Sequence, residues 1–282
     1  MKKRFRPRQK PGADEGKVRE ETIWGVHAVS AMLQCRPQQV LALFITPGRA
    51  NQRISEILEL AIRHRIVVHH DQPLPLTEPE SIPHQGVVAR IKPLVLLDLN
   101  ALLARLTAQD LTRSGLAEPG LPGSDLPPLV LALDSIQDPH NLGAIIRCAA
   151  AFGVKALIFP KDRSAPLTGT VMKAAAGTAP LLHICQVTNL AETLTRLKEH
   201  GFWIYGAGGD APQSLYAAEF SGPICLVMGN EQKGLRPLVR RYCDHLIAIP
   251  LARGVESLNV AVATGIILAE ITRQSGAGGR IW

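Results

Sequence analysis

LVLALDSIQDPHNLGAIIRCAAAFGVKALIFP, residues 129–160, contains the pattern that decides the fold class. It starts with a short and almost entirely apolar run, which is typical of a strand covered on both faces of a parallel sheet. Residues 142–153 have the apolar spacing of a helix that ends at a glycine, and residues 154–160 form the next apolar run. A strand, a helix and a second strand in this order predict a parallel α/β sheet.

The same alternation continues toward the C-terminus. Further strands are predicted at residues 181–187, 202–208, 223–229 and 245–251. Helices are predicted near residues 168–176, 189–201, 236–242 and 258–274. Because repeated strand–helix units place helices on both faces of one sheet, we expect residues 129–274 to form a single α/β domain.

A second, smaller α/β domain is predicted over residues 22–92. Its predicted helices are residues 24–33 and 54–65, and its predicted strands are residues 40–46, 66–70 and 86–91. Residues 93–128 are interpreted as a linker, with a Leu-rich helix at 94–111 followed by a Gly- and Pro-rich connector. Residues 1–21 and 275–282 are predicted to be terminal tails.

Composition excludes several classes of protein. The 282 residues are 46% hydrophobic and 20% charged, which is typical of a globular domain. Neither a run long enough to span a bilayer nor a signal sequence is found, so we expect a cytoplasmic protein without a membrane partner. Its five cysteines are scattered without C-x-x-C spacing, which favours reduced thiols over a disulfide or zinc framework.

Positive charge is concentrated at the N-terminus. The formal net charge is +7, and residues 1–20 contain eight Lys or Arg against three Asp or Glu. This segment has few apolar residues and is therefore predicted to be disordered. Two interpretations are open, because charge alone does not separate an arm that binds nucleic-acid phosphates from a solubilising tail.

Known phosphate-binding loops do not explain the α/β pattern. Residues 206–211 fit G-x-G-x-x-A after a strand, but Pro212 and polar residues follow where an apolar helix is required. A simple turn or a loop beside a ligand is the better interpretation. The chain contains no G-x-x-x-x-G-K-S/T motif, which excludes a P-loop NTPase.

Two polar residues stand out in the first predicted helix of the larger domain. Arg147 is the only charged residue between Asp138 and Lys155, in a helix otherwise suited to a core. A buried arginine requires an anionic partner or a functional cleft, whereas an arginine at the helix edge requires neither. Asn141 has two interpretations as well, a site residue or the N-cap of the helix.

Two later segments also follow predicted strands. Residues 229–234 (GNEQKG) form a glycine-bounded loop around Glu231, at the end of a strand where α/β sheets bind ligands. Residues 249–251 are followed by Ser257, which is well placed to cap the last helix, and by Asn259 in its first turn. Each segment alone has a structural explanation, but all three at successive strand ends favour a functional site.

Together the three segments resemble the SpoU branch of the SPOUT RNA methyltransferases. The residues that match its motifs are Asn141 and Arg147, then Gly229, Glu231 and Gly234, then Ile249, Pro250, Ser257, Leu258 and Asn259. The likeness covers about residues 129–274, and residues 22–92 are similar to the L30e-like RNA-binding domain of many members. Phrases such as DPHNLGAIIR and SLNVAVATGI are closest to members that methylate a guanosine of 23S rRNA.

The resemblance implies a fold that periodicity does not predict. Chains rarely knot, but the C-terminal domain of this family contains a deep trefoil knot whose loops bind S-adenosylmethionine (AdoMet). It also implies a homodimer, a large-subunit rRNA partner, and methyl transfer to a ribose 2′-hydroxyl without a metal. Gly229, Ile249 and Leu258 are the implied cofactor-binding residues.

The implied catalytic residues are Arg147, Asn141, Glu231, Ser257 and Asn259. For Arg147 the family offers a general base or a stabiliser of the alkoxide; a guanidinium pKa above about 12 favours the stabiliser. Three alternatives remain open at this point: a tRNA substrate, an adenosine target, and an RNA-binding factor without catalytic activity.

Overall fold

The computed structural model describes residues 20–46, 52–70, 72–76, 84–92, 94–106 and 127–276. The predictions for the basic tail up to residue 19, for residues 107–126 of the linker and for residues 277–282 lie outside these ranges. The domain boundaries proposed from sequence stay predictions.

A four-stranded sheet with two helices forms the N-terminal domain. The strands are β1 (Glu21–Trp24), β2 (Val40–Ile45), β3 (Val67–His69) and β4 (Val87–Ile91), and the helices are α1 (Val26–Cys35) and α2 (Gln52–Arg63). The strand order is β1-β4-β2-β3. The prediction of a helix from Trp24 was wrong at its start, because Trp24 ends β1 and Gly25, with φ of 93°, turns the chain into α1.

The C-terminal domain contains a seven-stranded sheet in which every paired neighbour is parallel. Its strands are β5 (Leu129–Leu133), β6 (Ala156–Pro160), β7 (His183–Val187), β8 (Trp203–Ala207), β9 (Gln213–Ser214), β10 (Ile224–Met228) and β11 (His245–Ala248). Its helices are α4 (Pro139–Ala151), α5 (Gly169–Ala174), α6 (Leu190–Glu199), α7 (Pro237–Arg241) and α8 (Val260–Gln274), and α3 (Leu99–Leu106) precedes them in the chain. The predicted parallel α/β sheet is confirmed; the knot stays a prediction.

Strand order determines which loops meet. The order is β7-β6-β5-β10-β8-β11-β9, so β10 lies between β5 and β8 although it follows both in the chain. All five residues of β5 and of β10 are buried, as the apolar pattern predicts for a sheet covered on both faces. Because parallel strands end at the same edge, the loops after β5, β8, β10 and β11 come together there.

The two domains pack against each other. Helix α5 contacts β1, where Gly169 leaves room for the ring of Trp24. Arg36, directly after α1, donates a hydrogen bond from Nη2 to the carbonyl oxygen of Leu182 at 3.2 Å. These contacts fix the N-terminal domain beside the start of β7.

Candidate active site

Asn259 caps the last helix. Its Oδ1 accepts hydrogen bonds from the backbone N–H groups of Ala261 at 2.9 Å and Val262 at 3.3 Å. The prediction that Ser257 caps this helix was wrong, because α8 begins at Val260 and Ser257 is exposed two residues before the cap. An asparagine at this position uses its oxygen for the helix and keeps its amide N–H groups for another partner.

That partner is Asn141, which in turn contacts Glu231. Asn259 Nδ2 donates to Asn141 Oδ1 at 2.9 Å, and Asn141 Nδ2 donates to Glu231 Oε1 at 3.0 Å. The N-cap of α4 is Asp138, which accepts from His140 N at 2.9 Å. The interpretation of Asn141 as an N-cap was therefore wrong.

Backbone groups set the orientation of every amide in this chain of hydrogen bonds. Backbone N–H groups only donate, so Asn259 must present Oδ1 to the helix and Nδ2 to Asn141. Asn141 must then accept with Oδ1, which leaves its Nδ2 to donate to the acceptor carboxylate of Glu231. The first turn of α8 therefore determines which atom donates and which accepts in each of these hydrogen bonds, as far as Glu231 in the loop after β10.

Asn230 holds Glu231 from the other side. Asn230 Nδ2 donates to Glu231 Oε2 at 3.1 Å and to the carbonyl oxygen of Ser135 at 2.9 Å. Its Oδ1 accepts from the N–H groups of Gln232 and Lys233. Sequence reasoning missed Asn230, although its position between Gly229 and Glu231 was a usable signal.

The loop after β10 is a tight turn that requires its glycines. Asn230 and Gly234 exchange two backbone hydrogen bonds, at 3.0 and 2.9 Å. A Cβ atom on Gly229 would overlap the backbone of Gly234, and Gly234 itself has φ of 64°. Both glycines are thus needed to bring Glu231 back toward Asn141.

A cavity of about 240 Å³ lies on one side of this loop. It brings together the residues predicted to bind the cofactor, Gly229, Ile249 and Leu258, with Ser257 beside them. Its charged lining residues are Glu231 and Glu256, and no Lys, Arg or His is among its described lining residues. We call it the acidic cavity.

Gly208 and Gly209, the loop after β8, also line the acidic cavity. A strand, β9, follows these glycines where a nucleotide fingerprint requires a helix, so that fingerprint is excluded; the interpretation of residues 206–211 as a loop beside a ligand stays a prediction. A Cβ atom on Gly209 would meet only the carbonyl oxygen of Glu256 within 4 Å, at 3.9 Å. Sequence reasoning did not assign these glycines or Glu256 to the site.

A second cavity of about 690 Å³ lies on the other side of the loop. Asn141 lines it, together with three cationic side chains, Arg163, Lys233 and Arg236, and two carboxylates, Asp138 and Glu231. We call it the basic cavity. Residues 230–232 and Gly234 line both cavities, so Glu231 stands in a shared wall.

Arg236 is held by a buried carboxylate. Asp134, which follows β5 and has no solvent exposure, accepts from Arg236 Nε at 2.6 Å and from Arg236 N at 2.8 Å. A charge buried at this depth needs such a partner, and the pair fixes the guanidinium at the edge of the basic cavity. Neither residue was predicted, because 102 positions separate them in the chain.

Arg147 lies outside both cavities. It is six residues after Asn141 on α4, which places it about 120° away around the helix and about 9 Å along it. The side chain is exposed, so the argument that a buried arginine needs an anionic partner does not apply. One copy of the chain therefore brings together Asn141, Glu231 and Asn259 but leaves Arg147 apart.

Two family profiles match the chain. The profile of the SpoU rRNA methylase family matches residues 128–269. That of the RNA 2′-O ribose methyltransferase substrate-binding domain matches residues 22–96. The relative described as 23S rRNA (guanosine-2′-O-)-methyltransferase RlmB from Pseudomonas aeruginosa is 44% identical over 254 residues, which are 90% of this chain and 96% of that protein. The protein of the same description from Shewanella oneidensis is 42% identical, covering 91% and 98%.

The chain belongs to the SpoU rRNA methylase family. The family predicted from the three motif segments is thus confirmed. Solved structures support the fold: the SpoU methyltransferase AviRb from Streptomyces viridochromogenes superposes with a TM-score of 0.71 at 22% identity over 92% of each chain. An rRNA methyltransferase from Sinorhizobium meliloti gives a TM-score of 0.64 at 22% identity, covering 90% of this chain and 87% of that one.

Two features are absent from the described residues. Every helix among them is too short or too polar to span a lipid bilayer. Within the same residues, no group of three or more His, Cys, Asp or Glu side chains is arranged to hold a metal ion.

Proposed function

We propose that this protein transfers the methyl group of AdoMet to the ribose 2′-hydroxyl of a guanosine in 23S rRNA, in the cytoplasm. The support from relatives is 40–44% identity, over 90% or more of the chain, to proteins described as 23S rRNA (guanosine-2′-O-)-methyltransferases. The observation that carries the proposal is structural: two cavities share one wall, only one of them contains cationic side chains in its described lining, and an Asn–Asn–Glu network runs through the wall.

The acidic cavity suits AdoMet. Its sulfonium and amino group are cationic, and the charged lining residues are Glu231 and Glu256. Gly208 and Gly209 leave the room that side chains would fill, and Gly229, Ile249 and Leu258 offer main-chain groups to an adenosine and its ribose. When bound, AdoMet supplies a methyl group on a good leaving group.

The basic cavity suits RNA. Arg163 and Lys233 can neutralise phosphates on either side of the target nucleotide, and Arg236, which is paired with Asp134, can donate from its remaining guanidinium N–H groups. With the ribose here and the methyl donor across the loop, the two reactants would meet at Glu231 and Asn141. Such alignment is the main requirement of an in-line transfer.

Asn141, Glu231 and Asn259 act as positioning residues in this proposal. Glu231 accepts from both Asn141 and Asn230, so it braces the wall. Asn141 faces the basic cavity and retains one amide hydrogen for a ribose oxygen. Ser257, exposed at the mouth of the acidic cavity, would hold the 249–259 loop against the cofactor and the ribose.

Arg147 is assigned to stabilise the alkoxide that forms as the 2′-oxygen loses its proton. Because Arg147 of one copy points away from Asn141, we propose a homodimer in which the arginine enters the basic cavity of the other copy. Exposed apolar side chains near the acidic cavity support an interface there: Val255 is 50% exposed and Val262 is 53% exposed.

The decisive experiment combines binding and product mapping. Calorimetry should detect AdoMet binding, and the purified protein should add one 2′-O-methyl group to a guanosine of a 23S rRNA fragment. Methylation of tRNA or of an adenosine would correct the substrate. Absence of AdoMet binding would favour a factor that binds RNA without catalysing a reaction.

A further inference from the structure

A third cavity, of about 360 Å³, lies where the two domains meet. Arg36 comes from the N-terminal domain, Arg105 from α3, and His183 from the first position of β7. The chain between the domains is fixed here too, because Leu97 N donates to the carbonyl oxygen of Ile184 at 2.8 Å. We call this space the junction cavity.

Positive groups line the junction cavity without a matching acid. Within the ranges that the structure describes, no Asp or Glu lines it, and neither Arg36 nor Arg105 forms an ion pair. The nearby Asp98 caps α3 by accepting from Ala101 N at 2.8 Å. Arg36 is only partly exposed, and the carbonyl to which it donates, that of Leu182, is neutral.

The electrostatics of the cluster agree with this geometry. Burial and, after it, the charge of Arg105 lower the pKa of Arg36. Burial, followed by the charges of Arg105, Arg36 and Lys155, lowers the pKa of His183. Like charges thus face one another at the junction, an arrangement that an anion relieves.

An unpartnered amide oxygen lies in the same lining. Oε1 of Gln39 is buried and has no hydrogen-bond partner among the described residues. Rotation of the carboxamide by 180° exchanges Oε1 and Nε2 and presents two N–H donors at this position. Arg36 and Arg105 supply the charged donors that a phosphate group accepts, and Gln39 adds a carboxamide to the same lining.

We propose that the junction cavity binds a backbone phosphate of the RNA substrate, away from the methylated nucleotide. This rests on the proposed function. His183 is level with Val130, which lies about 10 Å before the end of β5 along the strand, and two strand spacings separate β7 from β5 by about 10 Å across the sheet. Asn141 follows the end of β5, so the junction cavity and the basic cavity lie toward opposite ends of the strands. A phosphate held by residues of both domains would fix their relative orientation on the RNA.

Inorganic phosphate is the first probe. Calorimetry on the full-length protein, with ionic strength held constant by NaCl, should show phosphate binding that Arg105→Gln weakens about tenfold. Arg36→Gln should weaken phosphate binding to a similar extent. Because Arg105 is exposed, Arg105→Gln should fold normally and keeps the test valid even if Arg36→Gln is destabilised. Arg63→Gln, an equal charge change on α2, should leave binding unchanged. Absence of phosphate binding, or binding that both junction variants retain, would overturn the proposal.

An RNA assay distinguishes two sources of the bound phosphate, the RNA backbone and free inorganic phosphate. The Arg36→Gln/Arg105→Gln variant should raise KM for the 23S rRNA fragment about tenfold with kcat and AdoMet affinity unchanged. The slope of log affinity against log salt should become shallower by about one for each phosphate that the variant no longer neutralises. Weakened phosphate binding with unchanged RNA affinity would show that a free anion occupies the cavity and would overturn the RNA assignment. Wild-type protein that binds phosphate and RNA but transfers no methyl group would instead refute the proposed function.

Discussion

The acidic and the basic cavity share the loop around Glu231 but are built differently. The acidic cavity is shaped by main chain, with Gly208, Gly209 and Gly229 in its lining, and its charged residues are carboxylates. The basic cavity is shaped by long cationic side chains, one of them anchored on the buried Asp134. Under the proposed function, this one loop separates a small cationic ligand from a polyanion, and Glu231 faces both of them.

Substitution of Arg147 tests whether one copy of the chain contains all the residues that the basic cavity needs. This substitution should lower kcat more than any other proposed here. Arg147→Ala should lower kcat about a hundredfold to a thousandfold, with little change in AdoMet affinity or Tm. Arg147→Lys should recover little activity, because lysine lacks the planar fork. Near-normal turnover in a folded Arg147→Ala protein would remove the residue from the mechanism.

Mixing two inactive variants shows whether Arg147 acts across an interface. In an equal mixture of Arg147→Ala and Glu231→Gln, about a quarter of the sites should combine an intact Arg147 with an intact Glu231 if a two-fold dimer shares them. Turnover should then rise to about a quarter of the wild-type value. A mixture as inactive as its components would indicate that each copy uses its own arginine.

Asn259 links the helix cap to the shared wall, so its variants separate two roles. Asn259→Ala removes the cap and should cost about 1 kcal/mol of stability as well as activity. Asn259→Asp keeps an acceptor for Ala261 and Val262 but cannot donate to Asn141. We expect Asn259→Asp to retain Tm within a few degrees while kcat falls tenfold or more. Equal activity in Asn259→Asp and wild type would show that the residue serves the cap alone.

The main-chain shape of the acidic cavity predicts a contrast between two glycines. Gly229→Ala places a Cβ atom against the backbone of Gly234 and should cost about 1–3 kcal/mol, with weakened AdoMet binding. Gly209→Ala places its Cβ atom in the open space of the acidic cavity, so Tm should stay close to wild type while AdoMet binding weakens. Calorimetric AdoMet affinity and thermal melting of the two variants provide the check. Unchanged AdoMet affinity in Gly209→Ala, or a loss of Tm as large as that of Gly229→Ala, would contradict the assigned cavity.

Deletion of the N-terminal basic segment should have the smallest effect of the changes proposed here, and the effect should concern RNA binding alone. Deletion of residues 1–20 removes eight Lys or Arg and should make the salt dependence of RNA binding shallower by at least about one unit of slope, without changing AdoMet affinity. An unchanged slope would leave the segment a solubilising tail.

Much of the site could be predicted because its parts follow strand ends. Asn141, Glu231 and Asn259 come after β5, β10 and β11, and parallel strands end at one edge of the sheet. The Asp134–Arg236 ion pair could not be predicted from the sequence, because it depends on β10 lying beside β5 in the sheet. The choice between Ser257 and Asn259 as cap was also out of reach, because both residue types cap helices and periodicity locates a helix start only to within a few residues.

The central claim is that the acidic cavity holds AdoMet and the basic cavity holds RNA, and a reciprocal pair of variants tests it most directly. AdoMet affinity and RNA affinity are both measured for Glu256→Gln and for Arg163→Gln, which removes an exposed cation of the basic cavity and leaves the Asp134–Arg236 pair intact. We expect Glu256→Gln to weaken AdoMet binding several-fold and to leave RNA binding unchanged, and Arg163→Gln to weaken RNA binding about tenfold and to leave AdoMet binding unchanged. The reverse pattern, or loss of both affinities in both variants, would contradict it.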